Sequence, residues 1–435
     1  MSISASSLAK RLGWRWLGED FIINGVSIDT RTLERGDVFV ALQGTRGRGE
    51  EYLAQAEALG AVGAIVAESN SAISLPQILV PDPVQALHIL GEMKRFASDA
   101  KFIGITGSNG KTSTKEMLAF VLAKAGKTHS TRGNLNNHLG VPLTLANLRG
   151  DEEYVVVEMG ANHPGEIEPL ANLVRPHFGL ITSIAPAHLE GIGNLEGVIN
   201  TKEALLAAAE KIVLNLNLPV EALHRWQERY GHKVVKTYGR SPAADIYLQT
   251  AGASEFVASD HRRTIAVNWQ CFGRHNQLNG LATIAMVEAL GLDGKLCEEL
   301  RDFEMIAGRF QRRRYGIHWV IDDSYNANAA SFTEALRTLA DLKDFHGRVY
   351  AGAMGELGAD SERQHHQVAA LAAELHLEFQ PVATDAYGLK AISKEQAREE
   401  LKQRLKLKEP QALLIKGSRS AGLETLLTDL GQPLN

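Results

Sequence analysis

The run Ile-Gly-Ile-Thr-Gly-Ser-Asn-Gly-Lys-Thr-Ser at residues 103–113 constrains the fold of this chain more than any other stretch. It begins like a buried strand, turns through glycines and leads into residues 114–122, which have a helical period. A strand, a glycine loop and a helix in this order form a cradle for phosphate, because backbone N–H groups point inward and the helix N-terminus adds partial positive charge. The sequence therefore predicts a nucleotide site, the phosphate loop, with contacts from Gly107, Ser108, Asn109, Gly110, Lys111, Thr112 and Ser113.

Two side chains of the phosphate loop have the chemistry that nucleotide binding needs. Lys111 would reach the terminal phosphates, and Thr112 would hold Mg²⁺. Ile105 stands where the common loop of this kind has a glycine, so the loop is a compact variant. The alternative is a tight strand-to-helix turn in which Gly-Lys-Thr occurs by chance, and the surrounding strand and helix pattern argues against it.

Charge and cysteine content exclude some classes of protein. The formal net charge of −5 argues against a nucleic-acid partner, because nucleic-acid binders usually carry a basic face. The two cysteines, Cys271 and Cys297, lack the spacing of metal ligands and indicate a reducing compartment. No apolar segment of a signal peptide follows Lys10 and Arg11, and no stretch reaches the roughly 18 apolar residues of a membrane span. We therefore expect a cytoplasmic protein without membrane insertion.

Strand and helix patterns alternate along the chain in three successive series. The predicted domains are residues 1–98, 99–308 and 309–435, with the phosphate loop in the second. Continuous apolar strands between helices favour a parallel sheet that is covered on both faces. We predict an α/β fold of three domains in series, in which a central parallel sheet carries the phosphate loop between a small N-terminal α/β domain and a C-terminal Rossmann-like α/β domain. Three of the predicted helices cover residues 201–209, 280–290 and 332–342.

Polar side chains follow two apolar strands of the second series, where open α/β sheets place their ligands. Glu158 ends one strand and is either held structurally or turned toward the nucleotide as a second Mg²⁺ ligand, which the phosphate loop favours. His188 follows the next strand, and a single histidine is more often simply hydrogen-bonded. Lys202 begins a predicted helix of mostly alanine and leucine, so from the residues alone it is a surface lysine.

Further polar groups lie in the asparagine-rich loop at 131–137 and in the third series. Amide donors of that loop suit a polyanionic or peptidic ligand, although a cluster of Asx turns is the alternative. Asp323 ends a strand beside Tyr325, and residues 416–419 (Lys-Gly-Ser-Arg) end the last one. Together with Arg309 at the domain joint, these residues indicate that the third domain offers charged groups to a ligand held by the second.

Several of these blocks, in this order, resemble those of the bacterial Mur ligases over the whole chain. The blocks are residues 107–112 (Gly-Ser-Asn-Gly-Lys-Thr), 134–137 (Asn-Leu-Asn-Asn), 158–161 (Glu-Met-Gly-Ala), 185–190 (Ala-Pro-Ala-His-Leu-Glu), 272–276 (Phe-Gly-Arg-His-Asn), 323–328 (Asp-Ser-Tyr-Asn-Ala-Asn) and 416–420 (Lys-Gly-Ser-Arg-Ser). The Ala-His-Leu-Glu and Tyr-Asn-Ala-Asn blocks are most similar to the member of the family that adds a dipeptide.

The resemblance implies roles for individual residues. It implies that Thr112 and Glu158 hold one Mg²⁺ and that His188 helps to hold a second. Lys202 takes the place of a lysine that the family carbamylates with CO₂, which turns a cation into a metal ligand. The resemblance also implies that the catalytic residues are Lys111, Lys202 and His188. For ATP, the implied contacts are Asn276 with adenine, Arg309 with the phosphates and Asp323 with ribose. A uridine nucleotide would be bound by Ser27, Asp29, Thr30, Arg31 and the Gly44–Gly49 loop. The substrate would be bound by Asn134, Asn136 and Asn137, and the dipeptide by Tyr325, Asn326 and Asn328.

The activity implied is ATP-dependent amide ligation in a monomeric enzyme. The partners would be UDP-N-acetylmuramoyl-tripeptide and D-alanyl-D-alanine, with ATP, two Mg²⁺ ions and CO₂ as a carbamate on Lys202 as cofactors. Two alternatives share the phosphate loop. A sister ligase would add a single amino acid, and an ATPase that drives conformational change would give no amide product.

Overall fold

The computed structural model describes residues 3–44, 47–252, 255–268 and 273–431. The described residues form three main β-sheets that are packed against helices. In the central sheet, the strand Lys101–Thr106 leads into the phosphate loop. Short 3₁₀ segments lie at Gly49–Tyr52, Gly231–Lys233, Gly294–Asp302, Gly358–Asp360, Arg419–Ala421 and Leu423–Leu427. Among the described residues, no helix has the length and apolar character needed to cross a bilayer. The mixed α/β class predicted from the sequence is confirmed.

The N-terminal sheet has the strand order β2-β7-β6-β5-β4, parallel except for β2. Its elements, with the separate β1–β3 pair, are β1 (Ile3–Ser4), α1 (Ala5–Leu12), β2 (Arg15–Leu17), β3 (Ile22–Ile23), β4 (Gly25–Ser27), β5 (Asp37–Val40), α2 (Leu53–Ala58), β6 (Gly63–Val66), β7 (Gln77–Leu79) and α3 (Pro83–Phe96). Asp82 caps α3 by accepting a hydrogen bond from the backbone of Val84 at 2.8 Å. The last turn of α3 is tied to the following unit, because Lys94 Nζ donates to the carbonyl of Leu148 at 2.9 Å.

The central sheet has nine strands in the order β16-β15-β14-β13-β12-β11-β8-β10-β9. Its elements are β8 (Lys101–Thr106), α4 (Lys111–Leu122), β9 (Thr128–Ser130), α5 (Gly140–Ala146), β10 (Tyr154–Glu158), α6 (Ile167–Val174), β11 (Phe178–Ile181), α7 (Leu189–Ile192), α8 (Leu195–Ala208), β12 (Lys211–Asn215), α9 (Val220–Tyr230), β13 (Val234–Gly239), β14 (Ile246–Ala251), β15 (Glu255–Ser259), β16 (Thr264–Asn268) and α10 (Arg274–Ala289). Strands β8 to β14 are parallel, whereas β15 and β16 extend the sheet antiparallel. Strand β8 lies between β10 and β11, so the ends of these three strands meet beside the phosphate loop.

Two helix starts in the central unit differ from the sequence prediction. Helix α8 begins at Leu195 rather than Thr201, because the Asn194 side chain accepts a hydrogen bond from the backbone of Gly197 at 2.9 Å and caps it there. Lys202 therefore lies inside the helix and not at its start. Helix α10 begins at Arg274 rather than Gly280, which places Asn276 in its first turn.

The C-terminal sheet has the order β17-β18-β21-β19-β20, parallel except for the edge strand β17. Its elements are β17 (Gln311–Tyr315), β18 (His318–Asp323), α11 (Ala329–Ala340), β19 (His346–Ala351), α12 (Ser361–Glu374), β20 (Glu378–Pro381), α13 (Lys394–Arg404) and β21 (Gln411–Lys416). Helix α11 starts three residues before the predicted Phe332, because Asn328 caps it through the backbone of Ser331 at 2.9 Å. The boundaries at 98/99 and 308/309 remain our proposed divisions of the chain.

Candidate active site

The phosphate loop takes a backbone path that two of its glycines make possible. Gly107 has φ +155° and Gly110 has φ +83°, in the region that side chains rarely adopt. A Cβ atom at Gly107 would lie 2.0 Å from Thr182 Oγ1, and one at Gly110 would lie 2.5 Å from Asn279 Oδ1. Helix α4 begins directly after the loop, so its free N–H groups face the space that a phosphate would take.

Hydrogen bonds from the segment after β11 hold the phosphate loop in place. Ser108 Oγ donates to the carbonyl of Ala185 at 2.9 Å. The backbone N–H of Asn109 donates to Ser183 Oγ at 2.8 Å, and Thr182 Oγ1 donates to the carbonyl of Asn109 at 2.6 Å. The loop is therefore fixed by side chains and does not depend on a ligand for its shape.

Glu158 and Thr112 lie side by side in a buried position. Glu158 is 1% exposed, and its Oε1 accepts hydrogen bonds from Thr112 Oγ1 at 3.2 Å and from Asn136 Nδ2 at 2.6 Å. Its Oε2 is buried and has no hydrogen-bond partner among the described residues. A buried carboxylate oxygen without a partner is costly unless a cation occupies the site. These residues thus fit a hard cation such as Mg²⁺, which prefers oxygen ligands.

Lys111 lies at the centre of the charges in this region. Its Nζ donates to the carbonyl of Gly107 at 2.7 Å. Burial lowers the pKa of Lys111, while the negative charges of Glu158 and Glu356 oppose that change. A lysine that is held among these groups is placed to neutralise charge on a phosphoryl group at the loop.

Lys202 is buried, so the surface-lysine alternative is wrong. The residue is 1% exposed, and burial together with the positive charge of Lys111 lowers the pKa of its amine to about 7. A substantial fraction of the amine is therefore neutral at physiological pH. A neutral amine is the form that reacts with an electrophile such as CO₂.

His188 of the central unit meets Glu356 of the C-terminal unit. His188 Nδ1 lies 2.5 Å from Glu356 Oε2, and the two side chains are 19% and 49% exposed. Both residues have positive φ, +55° and +60°, which is uncommon for residues with a side chain and is concentrated at functional sites. The contact with His188 lowers the pKa of the Glu356 carboxyl. Sequence reasoning missed Glu356, which lies in the loop after β19, whereas Glu158 is the last residue of β10.

Two other side chains of the C-terminal unit, Arg309 and Asn328, reach the phosphate loop. Arg309 Nη2 donates to Thr112 Oγ1 at 3.3 Å, and its guanidinium lies 3.9 Å from the centre of the Tyr325 ring. Asn328 Nδ2 donates to Asn109 Oδ1 at 2.9 Å. Arg309 is the charged residue among these contacts, and the expectation that the third unit offers charged groups to a ligand held by the second stays a prediction.

Asp323 and Lys416 form a buried ion pair at the ends of β18 and β21. Lys416 Nζ lies 2.5 Å from Asp323 Oδ2, and the backbone N–H of Phe310 donates to Oδ1 at 3.1 Å. Burial raises the pKa of Asp323, and the charge of Lys416 opposes that rise. Both carboxylate oxygens of Asp323 therefore already have partners within the protein. A ribose hydroxyl could bind only as a further hydrogen-bond donor to one of these oxygens.

Replacing Lys416 with alanine is expected to destabilise the C-terminal unit by about 3–5 kcal/mol, because it leaves the Asp323 charge buried without its partner. Urea unfolding, followed by fluorescence, measures the loss. Lys343→Ala is the matched control, since Lys343 is exposed in the same unit. A Lys416→Ala protein within about 0.5 kcal/mol of the wild type would contradict this prediction.

Comparison with known proteins identifies the family. Three family models match in order: "Mur ligase family, catalytic domain" over residues 22–95, "Mur ligase middle domain" over 105–287 and "Mur ligase, glutamate ligase domain" over 308–427. The UDP-N-acetylmuramoyl-tripeptide–D-alanyl-D-alanine ligase of Escherichia coli (strain K12) is 34% identical over 448 residues, which cover 99% of this chain and 98% of that protein. This chain belongs to the Mur ligase family.

Other known proteins are similar to this Mur ligase over most of its length. The enzyme of the same name from Bacillus subtilis (strain 168) is 31% identical over 363 residues, which cover 81% of this chain and 78% of that protein. A crystal structure of MurF from Acinetobacter baumannii has a TM-score of 0.85 at 30% identity and covers 99% of each chain. As a Mur ligase, the chain is an ATP-dependent ligase. The predicted family and the three-domain α/β architecture are confirmed.

The structure places the predicted site asparagines of this Mur ligase in different surroundings. Asn136 contacts Glu158, while Asn134 is exposed and Asn137 Oδ1 accepts a hydrogen bond from the backbone N–H of Gly140 at 3.0 Å. Asn276 is buried in α10 and its Oδ1 accepts from Asn279 Nδ2 at 3.1 Å. Asn326 is exposed beside the buried Asp323–Lys416 pair.

The residues predicted for the uridine nucleotide form a separate group in the N-terminal unit. Ser27 Oγ donates to the carbonyl of Asp29 at 2.9 Å, and Thr30 Oγ1 donates to Gln55 Oε1 at 3.1 Å. Arg31 pairs with Asp29 at 2.5 Å and is 85% exposed. The described structure shows no hydrogen bond between this group and the phosphate loop. Thr45 and Arg46 of the predicted glycine-rich loop lie outside the described residues, as do Cys271 and Phe272.

Proposed function

We propose that this Mur ligase joins D-alanyl-D-alanine to UDP-N-acetylmuramoyl-tripeptide, the last cytoplasmic step in making the pentapeptide precursor of peptidoglycan. The observation that carries the proposal is similarity over 99% of the chain to a ligase named for these two substrates. The geometry supports it, since the phosphate loop, Glu158 and Arg309 converge where an ATP γ-phosphate would lie. Since ATP and a nucleotide-linked substrate are found in the cytoplasm, we propose that the enzyme works there, and we keep the proposal that it is a monomer without a nucleic-acid partner.

The reaction has two steps in this proposal. The carboxylate of the tripeptide attacks the γ-phosphate of ATP, which gives an acyl phosphate and releases ADP. The amine of D-alanyl-D-alanine, after its ammonium form has lost a proton to water, then attacks the acyl carbon; a C–N bond forms, the C–O bond breaks, and the leaving phosphate takes up the proton that the nitrogen loses. Lys111 and Arg309 stabilise the negative charge on the transferring phosphoryl group. Contacts of the C-terminal unit with the phosphate loop keep water from the acyl phosphate.

The proposed reaction needs Mg²⁺, and particular residues would hold it. Thr112 and Glu158 would hold one Mg²⁺, as the unpartnered Glu158 oxygen suggests, and His188 with a carbamylated Lys202 would contribute to a second. When bound, Mg²⁺ neutralises charge on the phosphates and orients them for attack. Asn276, Asp323 and the N-terminal group of Ser27, Asp29, Thr30 and Arg31 remain the proposed contacts for the adenosine and uridine nucleotides. Asn134, Asn136, Asn137, Tyr325, Asn326 and Asn328 remain those for the peptide substrates.

ADP release by the purified protein tests this function. With Mg-ATP, we expect release only when UDP-N-acetylmuramoyl-tripeptide and D-alanyl-D-alanine are both present. Single amino acids offered in place of the dipeptide serve as the comparison. Release with a single amino acid would move the assignment to a sister ligase, and release without any acceptor would indicate an ATPase.

Lys202→Ala is expected to have little activity and to regain part of it with added acetate or formate. A short carboxylic acid can enter the space left by the side chain and supply the oxygens that a carbamate would provide. The amine of Lys202 with a pKa of about 7 takes up CO₂ in its neutral form, so wild-type activity at limiting CO₂ should rise as the pH increases through 7. ADP release is measured against acetate concentration, with the wild type at the same acetate concentrations as control. Full activity of Lys202→Ala without acetate would contradict the carbamate role.

A further inference from the structure

An amine that enters this site meets mostly positive charge. Lys111 and Arg309 surround the phosphate loop, and the positive charge of Lys111 acts on Lys202 nearby. The acceptor dipeptide arrives with an ammonium group at neutral pH. In the proposed reaction the phosphoryl group takes up the charges of Lys111 and Arg309, so the ammonium still needs a carboxylate of its own to fix its position.

Most carboxylates of the site are already engaged. Oε1 of Glu158 accepts two hydrogen bonds, and the whole residue is buried among proposed Mg²⁺ contacts. Asp323 is bound by Lys416 and by the backbone of Phe310. Glu158 is thus inaccessible to a second substrate, and Asp323, whose side chain is 15% exposed, has both oxygens in use.

Glu356 differs from both of them. Its side chain is 49% exposed, and Oε2 contacts His188, whereas the described residues show no partner for Oε1. The contact with His188 holds it against the central unit, and its charge and that of Lys111 act on each other's pKa. It also lies in the loop that follows β19, at the carboxyl ends of the parallel strands, where open α/β sheets bind their ligands.

We propose that Glu356 binds the ammonium group of the incoming dipeptide through Oε1 and thereby holds the amine beside the acyl phosphate. This inference rests on the proposed function, because it names the residue that recognises the second substrate. His188 holds the other carboxylate oxygen and so keeps the loop turned toward the central unit. Glu356 is then a residue that selects the acceptor, in addition to the phosphate-binding machinery.

Glu356→Gln tests the inference, since it removes the charge and keeps the shape. We expect the KM for D-alanyl-D-alanine to rise roughly 10- to 100-fold, the range for a hydrogen bond to a charged group. The inhibition constant of propionyl-D-alanine, which lacks only the amine, should be the same in the variant and the wild type. Glu356→Asp keeps the charge and should retain part of the affinity for the dipeptide.

Glu362→Gln is the matched control, because it removes one exposed carboxylate from the same unit six residues further on. An unchanged KM in Glu356→Gln would overturn the inference, and so would an equal rise in both constants. A change confined to the Mg²⁺ requirement would overturn it as well, since Glu356 would then act only through His188. Wild-type protein without dipeptide-dependent ADP release would instead show that the proposed function itself fails.

Discussion

Lys111→Ala is expected to lower ligation by about 10³- to 10⁵-fold, the range known for removing a cation that stabilises phosphoryl transfer. Lys111 Nζ lies at the mouth of the phosphate loop on the carbonyl of Gly107, and within the described structure it is held among Glu158, Glu356 and Arg309. Loss of this charge leaves growing negative charge on the transferring phosphoryl group without its nearest partner. Initial rates of ADP release at saturating substrates measure the effect.

The fold of Lys111→Ala should remain intact, because side chains after β11 hold the phosphate loop independently of the lysine. Circular dichroism and the melting temperature check this. Lys124→Ala is the control on the same stretch, as Lys124 is exposed just after the end of α4. Turnover of Lys111→Ala near the wild-type rate would contradict the assignment of the phosphate loop.

Glu158→Gln is expected to reduce ligation by about 10³-fold, which corresponds to about 4 kcal/mol of activation free energy. The substitution keeps the volume and a partner for Thr112 Oγ1 but removes the buried charge whose second oxygen has no partner among the described residues. The Mg²⁺ concentration for half-maximal activity should rise as well, because a neutral amide is a poorer ligand for a hard cation. Magnesium titrations of ADP release measure both effects.

The control for Glu158→Gln is Glu168→Gln, which removes one carboxylate from the exposed side of α6. Manganese binding to the nucleotide complex, followed by electron paramagnetic resonance, reports on the metal site without turnover. Unchanged Mg²⁺ dependence in Glu158→Gln would show that the carboxylate has only a structural role.

The local sequence pattern was enough to predict the phosphate loop and the parallel strands around it. The phosphate loop is encoded in consecutive residues, since a strand, two glycines with positive φ and a helix start follow one another directly in the chain. The parallel strands around it were predictable for the same reason, because their apolar runs are continuous. Helix starts were less predictable where a single capping residue decides, as Asn194 does for α8 and Asn328 for α11.

Contacts between distant parts of the chain could not be predicted from local pattern. The burial of Lys202 depends on how α8 packs against the central sheet, and its alanine- and leucine-rich surroundings were compatible with a surface position. The approach of Glu356 to His188 joins residues on two different sheets, and neither one indicates the other. A search for polar residues in the whole loop after each parallel strand, and not only at the strand's last residue, would have included Glu356 after β19.

A single-turnover reaction with ¹⁸O in the terminal carboxylate of the UDP-N-acetylmuramoyl-tripeptide tests the ligase mechanism most directly. The account predicts a pentapeptide product whose mass includes the dipeptide, and phosphate that carries one ¹⁸O from the carboxylate, because the C–O bond of an acyl phosphate must break. Unlabelled phosphate together with unchanged tripeptide would contradict it, since ATP would then be hydrolysed by water without ligation.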